Sequence, residues 1–158
     1  MTAIKTTEAD LLARDIRVAI VAARFNRLVV DRLVDGVIDA LVRHGANDKS
    51  LELVWVPGAF EMPLAVKKLA QSRRFDAIVA VGAVIKGETA HFDFVAGECT
   101  SGIARASLES GVPVGFGVLT CESLEQALDR AGGKAGNKGA DAALAALEMA
   151  NLIKRLEA

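Results

Sequence analysis

The sequence predicts an α/β fold, a four-stranded parallel sheet with helices on both faces, and two observations predict it. Short apolar runs at 16–23, 51–56, 77–81 and 114–119 alternate with amphipathic stretches of about 10 to 17 residues, the pattern of repeated βαβ units. The third run, Ala77-Ile78-Val79-Ala80-Val81, is small and β-branched throughout, as a strand covered on both faces must be. Right-handed crossovers then place the connecting helices on the two faces.

The totals set limits on what such a domain does. With 158 residues, 52% of them hydrophobic, the chain can bury a substantial core in one domain at 16–158, behind an arm at 1–15. Its mean hydropathy of +0.33 is high for a soluble domain, yet no apolar stretch reaches the ~20 residues of a membrane span. Other subunits are therefore expected to cover the surplus apolar surface. The 19 Lys and Arg balance 20 Asp and Glu, which argues against a general binder of nucleic acid or anionic membrane. Cys99 and Cys121 lie far apart with no His cluster near them and read as small core residues, and no metal is expected. The arm lacks the apolar stretch of a signal peptide, so a cytoplasmic location is expected. It is either disordered or paired with an exposed sheet edge, its own or a neighbour's.

In chain order, residues 16–23 form the first strand, and Arg24-Phe25-Asn26 is a short loop whose Asn26 caps a helix carrying Val30, Leu33, Val34, Val37, Ile38 and Leu41. His44-Gly45 ends that helix, Gly45 supplying a left-handed cap and His44 meeting the negative end of the dipole. Residues 51–56 form the second strand. Phe60-Glu61-Met62-Pro63 opens a helix reaching about Ser72, since proline is tolerated in the first turn. After the third strand comes a loop with Gly82 and Gly87, then a helix from Phe92 that stops at Gly111 ahead of Pro113. Residues 114–119 form the fourth strand. Ser123-x-x-Gln126 is a capping box for a short helix through Arg130, 132–139 reads as a flexible glycine bend, and an Ala-rich helix runs from about 140 to 156.

Two glycine motifs fail as nucleotide sites. Gly115-Phe116-Gly117 lies inside a strand rather than after one, and the 133–139 stretch carries Asn137 and Gly139 where a P-loop needs Gly and Ser or Thr.

What remains is a set of loops that a parallel sheet gathers at the carboxyl ends of its strands, where such folds bind ligands. Phe25 follows the first strand, Ala59-Phe60-Glu61 the second, and Glu88, Thr89 and His91 the third. The N–H groups of Glu88 and Thr89, just ahead of a helix, suit an anion, and His91 is an acid/base one step away. Each residue has a plainer reading. Phe25 reads equally as a core aromatic, Glu61 as a dipole partner of its own helix, His91 as a surface or capping residue, and Arg130 and Lys138 as solvated charges around the bend.

Five motifs in register shift that balance. The Phe25-Asn26 loop, Val56-Pro57-Gly58-Ala59-Phe60-Glu61-Met62-Pro63, Gly82-Ala83-Val84-Ile85-Lys86-Gly87-Glu88-Thr89-Ala90-His91-Phe92, Val112-Pro113-Val114-Gly115-Phe116-Gly117-Val118-Leu119-Thr120 and Arg130-Ala131-Gly132-Gly133-Lys134-Ala135-Gly136-Asn137-Lys138-Gly139 together resemble the lumazine synthase family, in order from about Ile16 to the C-terminus.

The resemblance implies a flavodoxin-like three-layer sandwich, a cofactor-free transferase of riboflavin biosynthesis, and homopentamers that in some members form decamers or icosahedral shells, with active sites between subunits. It implies that Phe25 stacks on the pyrimidine of 5-amino-6-ribitylaminouracil, Ala59, Phe60 and Glu61 hold the ribityl chain, and Ala83, Val84 and Ile85 hold the ring edge. Glu88 and Thr89 take the phosphate of 3,4-dihydroxy-2-butanone 4-phosphate and His91 donates a proton, while Phe116 and Arg130 come from the neighbour and Lys138 lies near the same pocket. Riboflavin synthase is an expected associate. Lys86 departs from the arginine of many relatives, and the absence of an insertion between Gly133 and Lys134 resembles shell-forming members.

Two other classes compete. A flavin- or lumazine-storing shell would not need the phosphate set of His91, Arg130 and Lys138, and a flavodoxin-like electron carrier would need a hydroxyl-rich loop where Arg24-Phe25-Asn26 stands.

Overall fold

The computed structural model describes residues 3–158; Met1 and Thr2, the start of the expected arm, lie outside the described residues. The elements run β1 (Val18–Ala23), α1 (Arg27–Arg43), β2 (Leu51–Val56), α2 (Met62–Gln71), β3 (Ala77–Ile85), α3 (His91–Ser110), β4 (Val114–Cys121), α4 (Leu124–Arg130), β5 (Ala131–Gly133), β6 (Gly136–Asn137) and α5 (Lys138–Glu157). The first four strands form one parallel sheet in the order β2-β1-β3-β4. The chain therefore reverses direction across the sheet between β1 and β3, the switch point at which open α/β sheets bind ligands.

Strand alternation divides the core in two. Val18, Ile20, Ala22, Val79 and Val81 face α1, α4 and α5, while Ala19, Val21, Ala23, Ile78 and Ala80 face α2 and α3, giving three layers. Leu33 and Leu41 of α1 and Met62 of α2 are fully buried, each contributing roughly 1.5–3 kcal/mol. The Ala-rich surface of α5 has a structural cause. Gly115 and Gly117 of β4 face it, and a β-carbon at Gly115 would run into the backbone of Ala142. Small residues on both sides let helix and strand approach closely, and this is what the glycine pair rejected as a nucleotide motif does.

Five local expectations change. β3 continues through Gly82 to Ile85, because β4 pairs with it as far as Cys121, so the loop proper is 86–90. The glycine bend is a two-stranded hairpin of β5 and β6, and α5 begins two residues early because the Asn137 side chain accepts from the Gly139 and Ala140 N–H groups. Ser123 does cap α4, but Gln126 reaches back to the N–H of Glu122 rather than completing a box on Ser123. The Asn26 side chain does not cap α1. His44 is structural, its Nδ1–H donating to the Ala40 carbonyl at 2.6 Å with Gly45 behind it at φ 106°.

The arm is irregular and lies against α5 of its own chain, where the Asn151 amide donates to the Asp10 and Leu12 carbonyls at 3.1 and 3.0 Å and Arg155 meets Asp10 at 2.9 Å. Cys99 and Cys121 are buried and free, and burial pushes the Cys99 thiol up to about 11. Burial raises Cys121 as well, with the charge of Arg130 pulling the other way. No helix among the described residues is long and apolar enough to cross a membrane.

Candidate active site

Three strand ends build the site. At the first, Arg24 N–H continues the β1/β2 ladder to the Val56 carbonyl at 2.8 Å, and Phe25 N–H turns to the Pro57 carbonyl at 3.1 Å. Asn26 then takes a left-handed conformation, φ 63° and ψ 45°, which swings its amide away from α1 and onto the Ala83 carbonyl at 2.8 Å. The N–H groups of Val29 and Val30 are met by the Asn26 main-chain carbonyl instead. The turn throws the Phe25 ring clear of the core, 72% exposed. Two residues on, the Arg27 guanidinium lies 3.9 Å over the Trp55 ring and bonds Asp31 at 2.9 Å.

At the second strand end, Gly58 is extended and one tight turn, Ala59–Glu61, leads into α2. Ala59 and Met62 are buried, which leaves Phe60 and Glu61 facing outward. The Glu61 carboxylate folds over Gly58, where a β-carbon would stand 3.2 Å from Oε2.

At the third, β3 outruns β1. Their register ends with Val81 beside Ala22, while β4 accompanies β3 to Ile85 and the Lys86 N–H then bonds the Cys121 carbonyl at 2.8 Å. Since backbone groups alternate sides along a strand, those of Ala83 and Ile85 point toward the space where β1 has stopped. The loop 86–90 brings the chain to α3, where Thr89 Oγ1 accepts from the His91 N–H at 3.4 Å. His91 opens a 20-residue helix whose positive dipole end suits an anion, although the Asp93 N–H of its first turn is taken by the Ala90 carbonyl at 3.0 Å and Asp93 itself is acidic.

These ends enclose a cleft of about 620 Å³. Phe25, Ala59, Phe60, Glu61, Ala83, Val84, Ile85, Thr89 and His91 line it, so nine of the thirteen residues singled out from the sequence come together. Glu88 is exposed in the loop between two lining residues, Gly87 and Thr89. Phe116, exposed on β4, Arg130, half-buried at the end of α4, and Lys138, exposed at the start of α5, do not line it. Arg130 Nη1 donates to the Gln126 carbonyl at 3.2 Å, and Lys138 pairs with Asp141 at 3.3 Å.

Asn26, Phe94 and Val95 also line the cleft and were not singled out as site residues. The signal for Phe94 and Val95 was their spacing, three and four residues beyond His91 on one helix face. Phe94 is 71% exposed. Among the described residues no three metal-ligating side chains cluster, and no Lys or Arg lines the cleft.

The arrangement offers an aromatic face, a strand edge with outward backbone groups, a carboxylate, a helix start and an imidazole within one concavity. That set suits a flat heterocycle carrying a polar chain, held beside a phosphorylated partner.

Comparison with known proteins points the same way. The sequence model of the family described as 6,7-dimethyl-8-ribityllumazine synthase matches residues 15–154. The chain is 59% identical over 155 residues to the 6,7-dimethyl-8-ribityllumazine synthase of Halorhodospira halophila, covering 98% of this chain and 99% of that protein. It is 57% identical over 155 residues, with the same coverage, to the protein of that name from Edwardsiella ictaluri.

Proposed function

The chain belongs to the 6,7-dimethyl-8-ribityllumazine synthase family, and from that premise we propose how its residues divide the work. The enzyme is a transferase of riboflavin biosynthesis that condenses 5-amino-6-ribitylaminouracil with 3,4-dihydroxy-2-butanone 4-phosphate, releasing phosphate and water.

The pyrimidine lies on Phe25, its edge held at Ala83, Val84 and Ile85, and its ribityl chain runs over Ala59, Phe60 and Glu61. The phosphate of the second substrate sits at Glu88 and Thr89, ahead of α3. The amine condenses with the ketone to a Schiff base, the phosphate leaves, the ring closes and water is lost. His91 moves the protons. Holding two reactants face to face lowers such a barrier by about 7–11 kcal/mol, and a positioned acid/base adds about 10²- to 10⁴-fold. No step in this sequence calls on a cofactor.

The observation that carries the division of roles is the gathering of nine candidate residues on one cleft at the switch point. A second observation bears on assembly. A phosphate site calls for a cation, and among the described residues the cleft has neither Lys nor Arg. Arg130 and Phe116 are therefore supplied by a neighbouring copy, with Lys138 close to the shared pocket. Exposed Phe25, Phe60, Phe94 and Phe116, four of the six phenylalanines, supply the apolar seam for that contact. The assembly is a pentamer in the cytoplasm that closes further into an icosahedral shell and takes up riboflavin synthase. The tight β5–β6 hairpin, with nothing inserted between Gly133 and Lys134, supports the shell over free pentamers.

Mixing the two substrates with purified protein and following lumazine fluorescence, with light scattering on the same sample, tests this reading. Product formed by an assembly of at least five chains is expected. Product formed by a stable monomer would overturn the shared site.

A further inference from the structure

The hydrogen bond between Asn26 and Ala83 has a specific origin. In the β1/β3 ladder the last paired residues are Ala22 and Val81, so the donor due next to the Ala83 carbonyl is the N–H of Phe25. That N–H is committed to Pro57. The Asn26 amide fills the place it leaves, at 2.8 Å, and can do so only because its backbone is left-handed. Asn is among the few residues that adopt this conformation at small cost. A side chain thus extends the sheet by one rung past the end of β1, one residue after Phe25 and in the lining of the same cleft.

We propose that Asn26 is a positioning residue for the pyrimidine: its bond to Ala83 fixes the gap between the Phe25 ring and the β3 edge, and so sets the slot that the heterocycle enters. The inference rests on the reading of Phe25 and Ala83–Ile85 as the ring's contacts. The bond also occupies the Ala83 carbonyl and keeps it from turning toward substrate. This leaves the backbone groups of Ile85, the next residue facing that side, to meet the polar edge of the ring.

Two substitutions separate the hydrogen bond from the backbone conformation. Asn26→Gly keeps the positive φ and removes the amide, and Asn26→Asp keeps shape and conformation but sets an acceptor against the Ala83 carbonyl. Steady-state kinetics with both substrates, in assemblies checked by light scattering and thermal unfolding, should show the KM for the pyrimidine raised about tenfold or more in both variants. The KM for the phosphorylated ketone should stay within about twofold. In a Phe25→Ala background, Asn26→Gly should add nothing further to the pyrimidine KM, because the ring it positions is gone.

Wild-type pyrimidine KM in both Asn26 variants, with Phe25→Ala still raising it, would overturn the positioning role alone. So would an equal rise in both KM values accompanied by a lowered melting temperature. If Phe25→Ala itself leaves the pyrimidine KM unchanged, the ring-slot reading falls and the role of Asn26 falls with it.

Discussion

The Asn137 amide donates to the Arg32 carbonyl of α1 at 3.0 Å, while its oxygen accepts from the Gly139 and Ala140 N–H groups at 2.8 and 3.1 Å. One side chain thereby starts α5, ends the β5–β6 hairpin and ties both to α1. Room for it comes from Gly36, where a β-carbon would collide with the Asn137 side chain, and α5 lies so close that a β-carbon at Gly139 would strike the Leu33 carbonyl. The segment from Arg130 to Lys138 is held at both ends, which suits it to presenting charges in a fixed place.

Asn137→Ala should cost about 1–2 kcal/mol, the range for losing a helix cap, and lower the melting temperature by about 2–4 °C for each kcal/mol. Asn137→Asp keeps the capping oxygen but sets an acceptor against the Arg32 carbonyl, so it disrupts the tie to α1 alone and should cost less. Denaturant titration of both variants measures the difference. An equal cost would mean that the tie to α1, not the cap, supplies the stability.

Gly115→Ala should destabilise by about 1–3 kcal/mol through overpacking, because the added carbon meets the Ala142 backbone. Ala146→Gly should not rescue it. The Ala146 β-carbon is also near, 3.1 Å from the added atom, but removing it leaves the Ala142 carbonyl in place. Thermal melts of the single and double variants test this, and full recovery in the double variant would show that α5 can shift.

Asp76 supplies a pH dependence. Burial alone would raise its carboxyl, but the side-chain and backbone hydrogen bonds from Arg17 outweigh burial and hold it below the usual carboxylate range. Asp76 Oδ2 accepts the Arg17 backbone N–H at 2.8 Å and Nε at 3.2 Å, tying the start of β1 to that of β3. A carboxyl depressed in the folded state stabilises above its unfolded value, and that stability fades as pH falls through the folded value. Asp76→Asn should therefore cost about 1 kcal/mol at pH 7 and progressively less below about pH 4. Urea titrations from pH 7 to about pH 3 give the comparison, and a constant difference would assign the effect to shape rather than charge.

The sheet, its layers and most of the cleft were legible because they rest on local patterns. The run at 77–81 announces a buried strand, and βαβ alternation places Phe25, Glu61 and His91 at one edge. Asn26 and Asn137 were not legible as they act. Asn before a helix suggests a cap, and only the differing lengths of β1 and β3, a relation between strands, sends the Asn26 amide to Ala83. Likewise 132–139 reads locally as a bend, and the tie of its hairpin to α1 through the Asn137 amide is a contact between distant elements that no local pattern carries.

The roles proposed for His91 and Arg130 separate kinetically. His91→Ala should lower kcat by about 10²- to 10⁴-fold and no more, since positioning of the two reactants survives it. Arg130→Ala should chiefly raise the KM for the phosphorylated ketone, with partial recovery in Arg130→Lys, which restores charge without the bidentate fork. The cleft holding His91 has no Lys or Arg of its own among the described residues, and under the proposed shared site the two lesions fall on different chains. Co-refolding the His91→Ala and Arg130→Ala proteins should then create intact sites wherever the cleft of an Arg130→Ala chain meets a His91→Ala neighbour, roughly a quarter of all sites under random pairing in a ring. Activity well above the sum of the separate variants is the expected result, and no gain in fully mixed assemblies would place both residues in one chain's own site.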